Sequence, residues 1–119
     1  MSKLKEFDQT RTEGNGYLAK HATNVQKRFY GLDAQTYQDG ALDRKTKELL
    51  GLVASLVLRC DDCVLFHAIN CRDAGVTSKE LSEAIAVAQI VGGSITIPHT
   101  RRVLKVWDEE LVDESAEAA

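Results

Sequence analysis

Cys60-Asp61-Asp62-Cys63 is followed one helical turn later by His67 and then by Cys71. On a helix, at about 100° per residue, these cysteines and the histidine fall in one narrow stripe. Cysteines three apart share a face, with Cα atoms roughly 5 Å apart, inside the range a disulfide accepts. A thiol pair at a helix start has a further reason to react, because the amide dipoles there favour a thiolate. Asp61 and Asp62 oppose that effect by like-charge repulsion, so the net direction stays open. His67 lies one turn beyond Cys63, close enough for its imidazole to take the thiol proton directly or through one water. The dipole argument favours Cys60 as the reactive thiol, and the histidine spacing favours Cys63.

An imidazole used as a base needs its other nitrogen held, and Glu48 is the candidate. On one continuous helix Glu48 and His67 would lie about 28 Å apart along the axis. If the chain turns between Leu58 and Asp61, the two helices pack antiparallel and Glu48 returns alongside His67. A buried carboxylate there would pair with the imidazole and orient the ring. Taken alone, Glu48 reads as a solvated helix charge.

These side chains must be positioned by helices, since no alternating run is long enough for a sheet. A first helix is expected over about Asn15 to Tyr30, where Leu18, Ala22, Val25 and Phe29 recur at helical spacing. Gly31 is expected to end it, with a short helical turn near Ala34 to Gln38. Gly40 breaks the chain, and Asp43 is a good N-cap for a helix carrying Leu49, Leu50, Leu52, Val53, Leu56 and Val57. So wide an apolar face predicts a central, buried helix. The next is expected to start near Cys60 to Asp62 and to stop at about Ala74, before Gly75. Thr77-Ser78-Lys79-Glu80 reads as a capping box, followed by a stripe of Leu81, Ala84, Ile85, Ala88 and Val91. After Gly92-Gly93, Ser94 is expected to cap a last helix to about Leu111, with Pro98 near its first turn. Trp107 reads as a core or oligomer anchor, and Asp113 to Ala119 as a fraying tail. The expected fold class is all-α, a bundle of five or six helices in one domain over 1–119 with its core at about 15–111.

Size and charge narrow the function. A chain of 119 residues is one domain by length, and 44% apolar with 28% charged residues is ordinary globular composition. With one Trp and three Phe, the core must come mainly from Leu, Val, Ile and Ala. A net charge of -3 carries no electrostatic footprint for nucleic acid or an anionic membrane. Leu49 to Leu58, the longest apolar stretch, is about half of what a spanning helix needs. The N-terminal MSKLKEFDQT has no apolar run of a secretory signal, and cysteines as C-x-x-C without export favour redox or metal chemistry. A cytoplasmic location is expected.

Glu48, eleven residues, Cys60-x-x-Cys63, three residues and His67 together form a five-part spacing that resembles the alkylhydroperoxidase D-like proteins of the carboxymuconolactone decarboxylase superfamily. The lead-in Leu42 to Leu49, Gly75-Val76-Thr77 and Gly92-Gly93 also look like that family, so the resemblance covers about Leu42 to Leu111. It implies an all-helical, alkylhydroperoxidase D-like domain that assembles as a trimer or hexamer. It implies a thiol peroxidase or disulfide oxidoreductase, with Cys63 attacking, Cys60 resolving and Glu48–His67 relaying the proton. The substrate would be a peroxide or disulfide and the reductant an external dithiol or redox protein, with no flavin, haem or metal required. The best-known members carry a histidine just before the second cysteine, where this chain has Asp62.

Other readings compete. Zinc could use Cys60, Cys63, His67 and Cys71, but on one helix these span roughly 16 Å, too far to close around one ion. A thioredoxin fold lacks its βαβ context. Cys71 reads better as a small buried residue than as a third redox thiol. His21 reads as a surface residue. His99 with Arg101 and Arg102 could line an anion-binding mouth, though a solvated face is the simpler reading. A decarboxylase or isomerase using only Glu–His acid–base chemistry, and a non-catalytic scaffold, are the alternative functions.

Overall fold

The structure, a computed structural model, describes residues 2–112. It is all-α, with six helices and no strand among the described residues. The chain divides into two compact units, one ending at Asp39 and the other beginning at Gly40. The expected fraying tail lies outside the described residues.

The first unit holds α1 (Lys3–His21) and α2 (Asn24–Thr36). This departs from the expected single helix over Asn15 to Tyr30 and from the stop at Gly31. Ser2 caps α1, its hydroxyl accepting from the Lys5 amide, so helix begins well before Asn15. The break falls at Ala22-Thr23, where Thr23 and Gln26 form a capping box that satisfies two amides at once. Such a cap outweighs the periodicity of Leu18, Ala22, Val25 and Phe29, which runs across it. Gly31 sits inside α2, because a helical glycine costs only about 1 kcal/mol and does not by itself end a helix. No residue of α2 is buried.

The second unit is built on α3 (Arg44–Leu58), α4 (Asp61–Asp73), α5 (Ser78–Gly92) and α6 (Ile97–Val106). Asp43 caps α3 as expected, accepting from the Thr46 amide at 2.8 Å. That hydrogen bond holds the Asp43 carboxyl below its usual range. α3 is the central element, packed on both α4 and α5. Its buried face is Glu48, Leu52, Ser55 and Leu56, while Leu50 and Leu58 face outward. Each fully buried leucine contributes about 1.5–3 kcal/mol of hydrophobic stabilisation.

The turn between α3 and α4 takes two residues. Arg59 is left-handed (φ 60°), a conformation that costs a side-chain-bearing residue about 1–2 kcal/mol. It lets the Arg59 and Cys60 amides close back on α3, with Cys60 N–H donating to the Ser55 carbonyl at 3.1 Å. The chain reverses there, and α4 returns along α3 as the sequence predicts. α4 ends before Gly75 (φ 86°), where the Val76 amide bonds the Cys71 carbonyl.

Thr77 and Glu80 form the expected capping box of α5. Lys45 of α3 reaches the Glu80 carboxylate at 2.8 Å and, with the Thr77 amide, keeps that carboxyl below its usual range. Leu81, Ile85 and Ala88 are buried and Val91 is exposed. Ser94 does not cap the last helix: Ser94–Thr96 is a 3-10 turn without a side-chain cap, and α6 follows it with Pro98 in its first turn. A π turn (Trp107–Leu111) carries the chain to the expected end. Trp107 is buried, and its indole N–H donates to Ser78 Oγ at 2.8 Å, so it anchors the core.

Gly31 offers a direct check on the corrected first unit. A Cβ there meets nothing within 4 Å, so Gly31→Ala should raise unfolding free energy by about 0.5–1 kcal/mol in urea titrations. A loss of stability would contradict a helix through this position.

Candidate active site

Cys60 and Cys63 are joined as a disulfide, with Cα atoms 5.2 Å apart. Cys60 is the N-cap of α4, and its sulfur accepts from the Cys63 amide at 3.3 Å. A serine or aspartate normally holds such a cap; here the capping atom is also a disulfide sulfur. Cys63 is an exposed residue and Cys60 a partly exposed one.

One turn inward, His67 Nδ1 lies 2.9 Å from Glu48 Oε1, both residues being buried. The α3–α4 reversal thus brings together the two residues that a continuous helix would separate. A carboxylate accepts only, so Nδ1 carries a proton and donates, which assigns any basic role of the ring to Nε2. Burial of Glu48 to 2% exposure is tolerable only with such a partner, because an unpaired buried carboxylate costs several kcal/mol.

Gly51 is part of the same arrangement. A Cβ on Gly51 would stand 2.6 Å from His67 Cε1 and 2.8 Å from Nδ1. The imidazole therefore lies against bare helix backbone, one turn past Glu48, and only glycine leaves it room. Sequence reasoning missed this residue. Its signal was a glycine within the strongest apolar helix, where glycine has no conformational reason to be.

Cys71 lies one turn beyond His67, free and fully buried. Burial, and then the charge of Glu48, push its thiol up to about 12. It is the small buried residue expected. Among the described residues, no group of three or more His, Cys, Asp or Glu side chains is arranged to hold a metal ion.

A second cluster sits at the start of α4. His99 Nδ1 approaches Asp61 Oδ1 at 2.6 Å, and Arg102 Nε donates to Asp61 Oδ2 at 3.0 Å. Arg102 Nη2 also lies 3.1 Å from His99 Nδ1. Nδ1 cannot both donate to the carboxylate and accept from the guanidinium. The shorter contact needs the N–H donor, so Nη2 is a close neighbour only. Burial pushes the Asp61 carboxyl up, but the hydrogen bonds from His99 and Arg102 outweigh it and hold it below its usual range. The anion that His99 and Arg102 meet is the chain's own Asp61. Arg101 is exposed on the same helix. Their three-residue spacing placed both donors on one face; nothing local showed that the face would meet Asp61.

Two outcomes check this geometry. Gly51→Ala should displace the His67 ring and cost stability, against the usual gain for alanine in a helix, with slower Cys63 alkylation in the reduced protein. Native Cys71 should resist iodoacetamide at pH 8 to 9, since its thiol stays protonated there. In denaturant it should react as an ordinary thiol, which mass spectrometry resolves by peptide.

Comparison with known proteins places this arrangement. A Thermotoga maritima protein of known crystal structure is 48% identical, with a TM-score of 0.85 over 88% of this chain and 92% of that one. A further crystal structure of that protein gives a TM-score of 0.82 at 47% identity, covering 87% and 88%. It is described there as a carboxymuconolactone decarboxylase family protein with a suggested part in an antioxidative response. A family member from Legionella pneumophila is 26% identical, with a TM-score of 0.83 over 92% of this chain and 97% of its own. An uncharacterized protein of the cox locus of Paracoccus denitrificans is 30% identical over 94 residues, 79% of this chain and 85% of its own. Residues 23–106, which take in the thiol pair, Glu48, His67 and the Asp61 cluster, match the family itself, and the chain belongs to the carboxymuconolactone decarboxylase family.

Proposed function

We propose that the protein is a thiol–disulfide oxidoreductase with peroxidase activity of the alkylhydroperoxidase D type. The observation that carries this reading is the buried Glu48–His67 hydrogen bond one turn from a C-x-x-C pair whose geometry accepts a disulfide. Glu48 holds His67 with Nε2 as its basic nitrogen, and His67 takes the proton of Cys63. The Cys63 thiolate attacks a peroxide oxygen: an S–O bond forms, the O–O bond breaks, and the departing alkoxide or hydroxide takes the proton back from the imidazolium. Cys60 then attacks the sulfenic sulfur of Cys63, releasing water and closing the disulfide. An external dithiol or redox protein returns both thiols by exchange. The greater exposure of Cys63 supports its role as the attacking sulfur, with Cys60 resolving. The suggested antioxidative part of the Thermotoga relative agrees with a peroxide substrate.

The same reading takes the chain as a cytoplasmic homo-oligomer, a trimer or hexamer. No helix among the described residues is long and apolar enough to cross a membrane. Val25, Phe29 and Leu32 are exposed on α2, as are Leu58, Ile90 and Val91 in the second unit. Apolar side chains in that number fit surfaces covered by further copies.

The test is to mix reduced protein with stoichiometric peroxide and follow the cysteines by mass-resolved alkylation. Wild type should form the Cys60–Cys63 disulfide rapidly, and Cys60→Ser should trap a sulfenic acid on Cys63. His67→Gln should slow the reaction by about 10²–10⁴-fold, the usual contribution of a positioned base. No disulfide within minutes, where denatured protein oxidises readily, would sink the peroxidase reading. Turnover that survives both Cys→Ser changes but not His67→Gln would indicate acid–base chemistry of the decarboxylase kind instead.

A further inference from the structure

The Asp61 cluster takes no part in the proton relay, yet it is built around the residue that follows Cys60. Asp61 is the first residue of α4, and Cys60 Sγ caps that helix, accepting from the Cys63 amide. A bare carboxylate here would repel a thiolate at Cys60 and cancel the favourable helix dipole. The structure does not leave it bare: α6 brings His99 and Arg102 to its two oxygens. We propose that His99 and Arg102 are positioning residues that neutralise and fix Asp61, so that Cys60 is maintained as a ready thiolate and leaving group.

This rests on the proposed dithiol cycle for its consequence in turnover. During re-reduction an external thiolate attacks Cys63 Sγ; a new S–S bond forms there and the Cys60–Cys63 bond breaks. The electron pair leaves on Cys60 Sγ, and a thiol of lower pKa leaves faster. The pair thus divides its environment. Cys63 has the buried Glu48–His67 pair one turn away, and Cys60 has the charge-balanced Asp61 at its side. The charged groups adjoining the pair and the clamp in sequence are Arg59, Asp62 and Arg101, while Arg72 pairs with Asp73 toward the far end of α4 and Lys105 with Glu109 beyond α6. They are constant in the comparison below.

Removing either end of the clamp breaks the same contact but changes the charge oppositely, and this makes the idea testable. Arg102→Gln leaves the Asp61 carboxylate hydrogen-bonded by His99 alone, its charge unopposed by the guanidinium; Asp61→Asn leaves an unopposed positive charge on Arg102. In the reduced full-length protein, peptide-resolved alkylation of Cys60 at pH 7 should fall about threefold for Arg102→Gln and rise about threefold for Asp61→Asn, the size expected for one half-exposed charge. The pH midpoint of the reaction should move up and down respectively, and 1 M salt should shrink both changes. Arg102→Lys, which keeps the charge, should restore most of the rate. Trp107 fluorescence reports whether each variant is folded.

Shifts of the same sign in both variants, or none, would overturn the proposal and leave the cluster a purely structural tie between α4 and α6. Failure of Arg102→Lys to restore the rate would do the same. Opposite shifts in a protein that does not react with peroxide would uphold the clamp while removing the peroxidase reading, so the two failures are distinguishable.

Discussion

A carboxylate buried to 2% exposure against an imidazole sets the terms for the whole second unit. Glu48 cannot be carried into the core alone, because its desolvation is repaid only by a partner at hydrogen-bonding distance. That partner, His67, is on another helix, and reaching it requires the chain to reverse within two residues. The left-handed Arg59 makes that reversal, the Cys60 cap starts α4 at the right place, and Gly51 leaves space for the ring. Once α3 and α4 are paired in this register, Leu52 and Leu56 are committed to the core. The polar pair specifies alignment, and the apolar contacts around it supply the stability.

The sulfurs of the Cys60–Cys63 pair take their surroundings from that alignment. They sit at the one end of α4 where backbone amides are unpaired, with Cys60 Sγ taking one of them. Cys71, on the same helix two turns beyond Cys63, has the opposite environment: buried, near Glu48, with its thiol pushed up to about 12. Position alone leaves Cys63 exposed and Cys60 partly exposed at the start of the helix, and buries Cys71 within it. Three cysteines of one chemical type thereby divide into a disulfide-bonded pair and a packing residue.

The charges around the pair are arranged by depth. Glu48–His67 lies in the core, where a carboxylate and an imidazole interact strongly and shed water. Asp61 with His99 and Arg102 lies at the surface, where solvent weakens each contact and two donors share one carboxylate. The first can hold a ring in one tautomer; the second can only bias the local potential. Both are made by side chains distant in sequence, and each ties another helix to α4.

Local chemistry was legible from the residues: the Asp43 and Thr77 caps, the stop at Gly75, the start of α4, and an all-α chain. Each depends on contacts within one turn of the backbone, and periodicity or a capping pair records such contacts directly. The spacing of Glu48, Cys60, Cys63 and His67 also pointed to the central pair, through its resemblance to the family and on the condition that the chain reverses at Leu58 to Asp61, which it does. The first helix was misplaced since a capping box at Thr23 overrides a hydrophobic stripe that continues through it. The need for Gly51 and the meeting of His99 and Arg102 with Asp61 were decided by tertiary structure alone. A glycine is needed only against what faces it, and an ion pair between residues some forty apart leaves no periodic trace. Sequence determined which helices form and which residues can do chemistry; packing decided which of them meet.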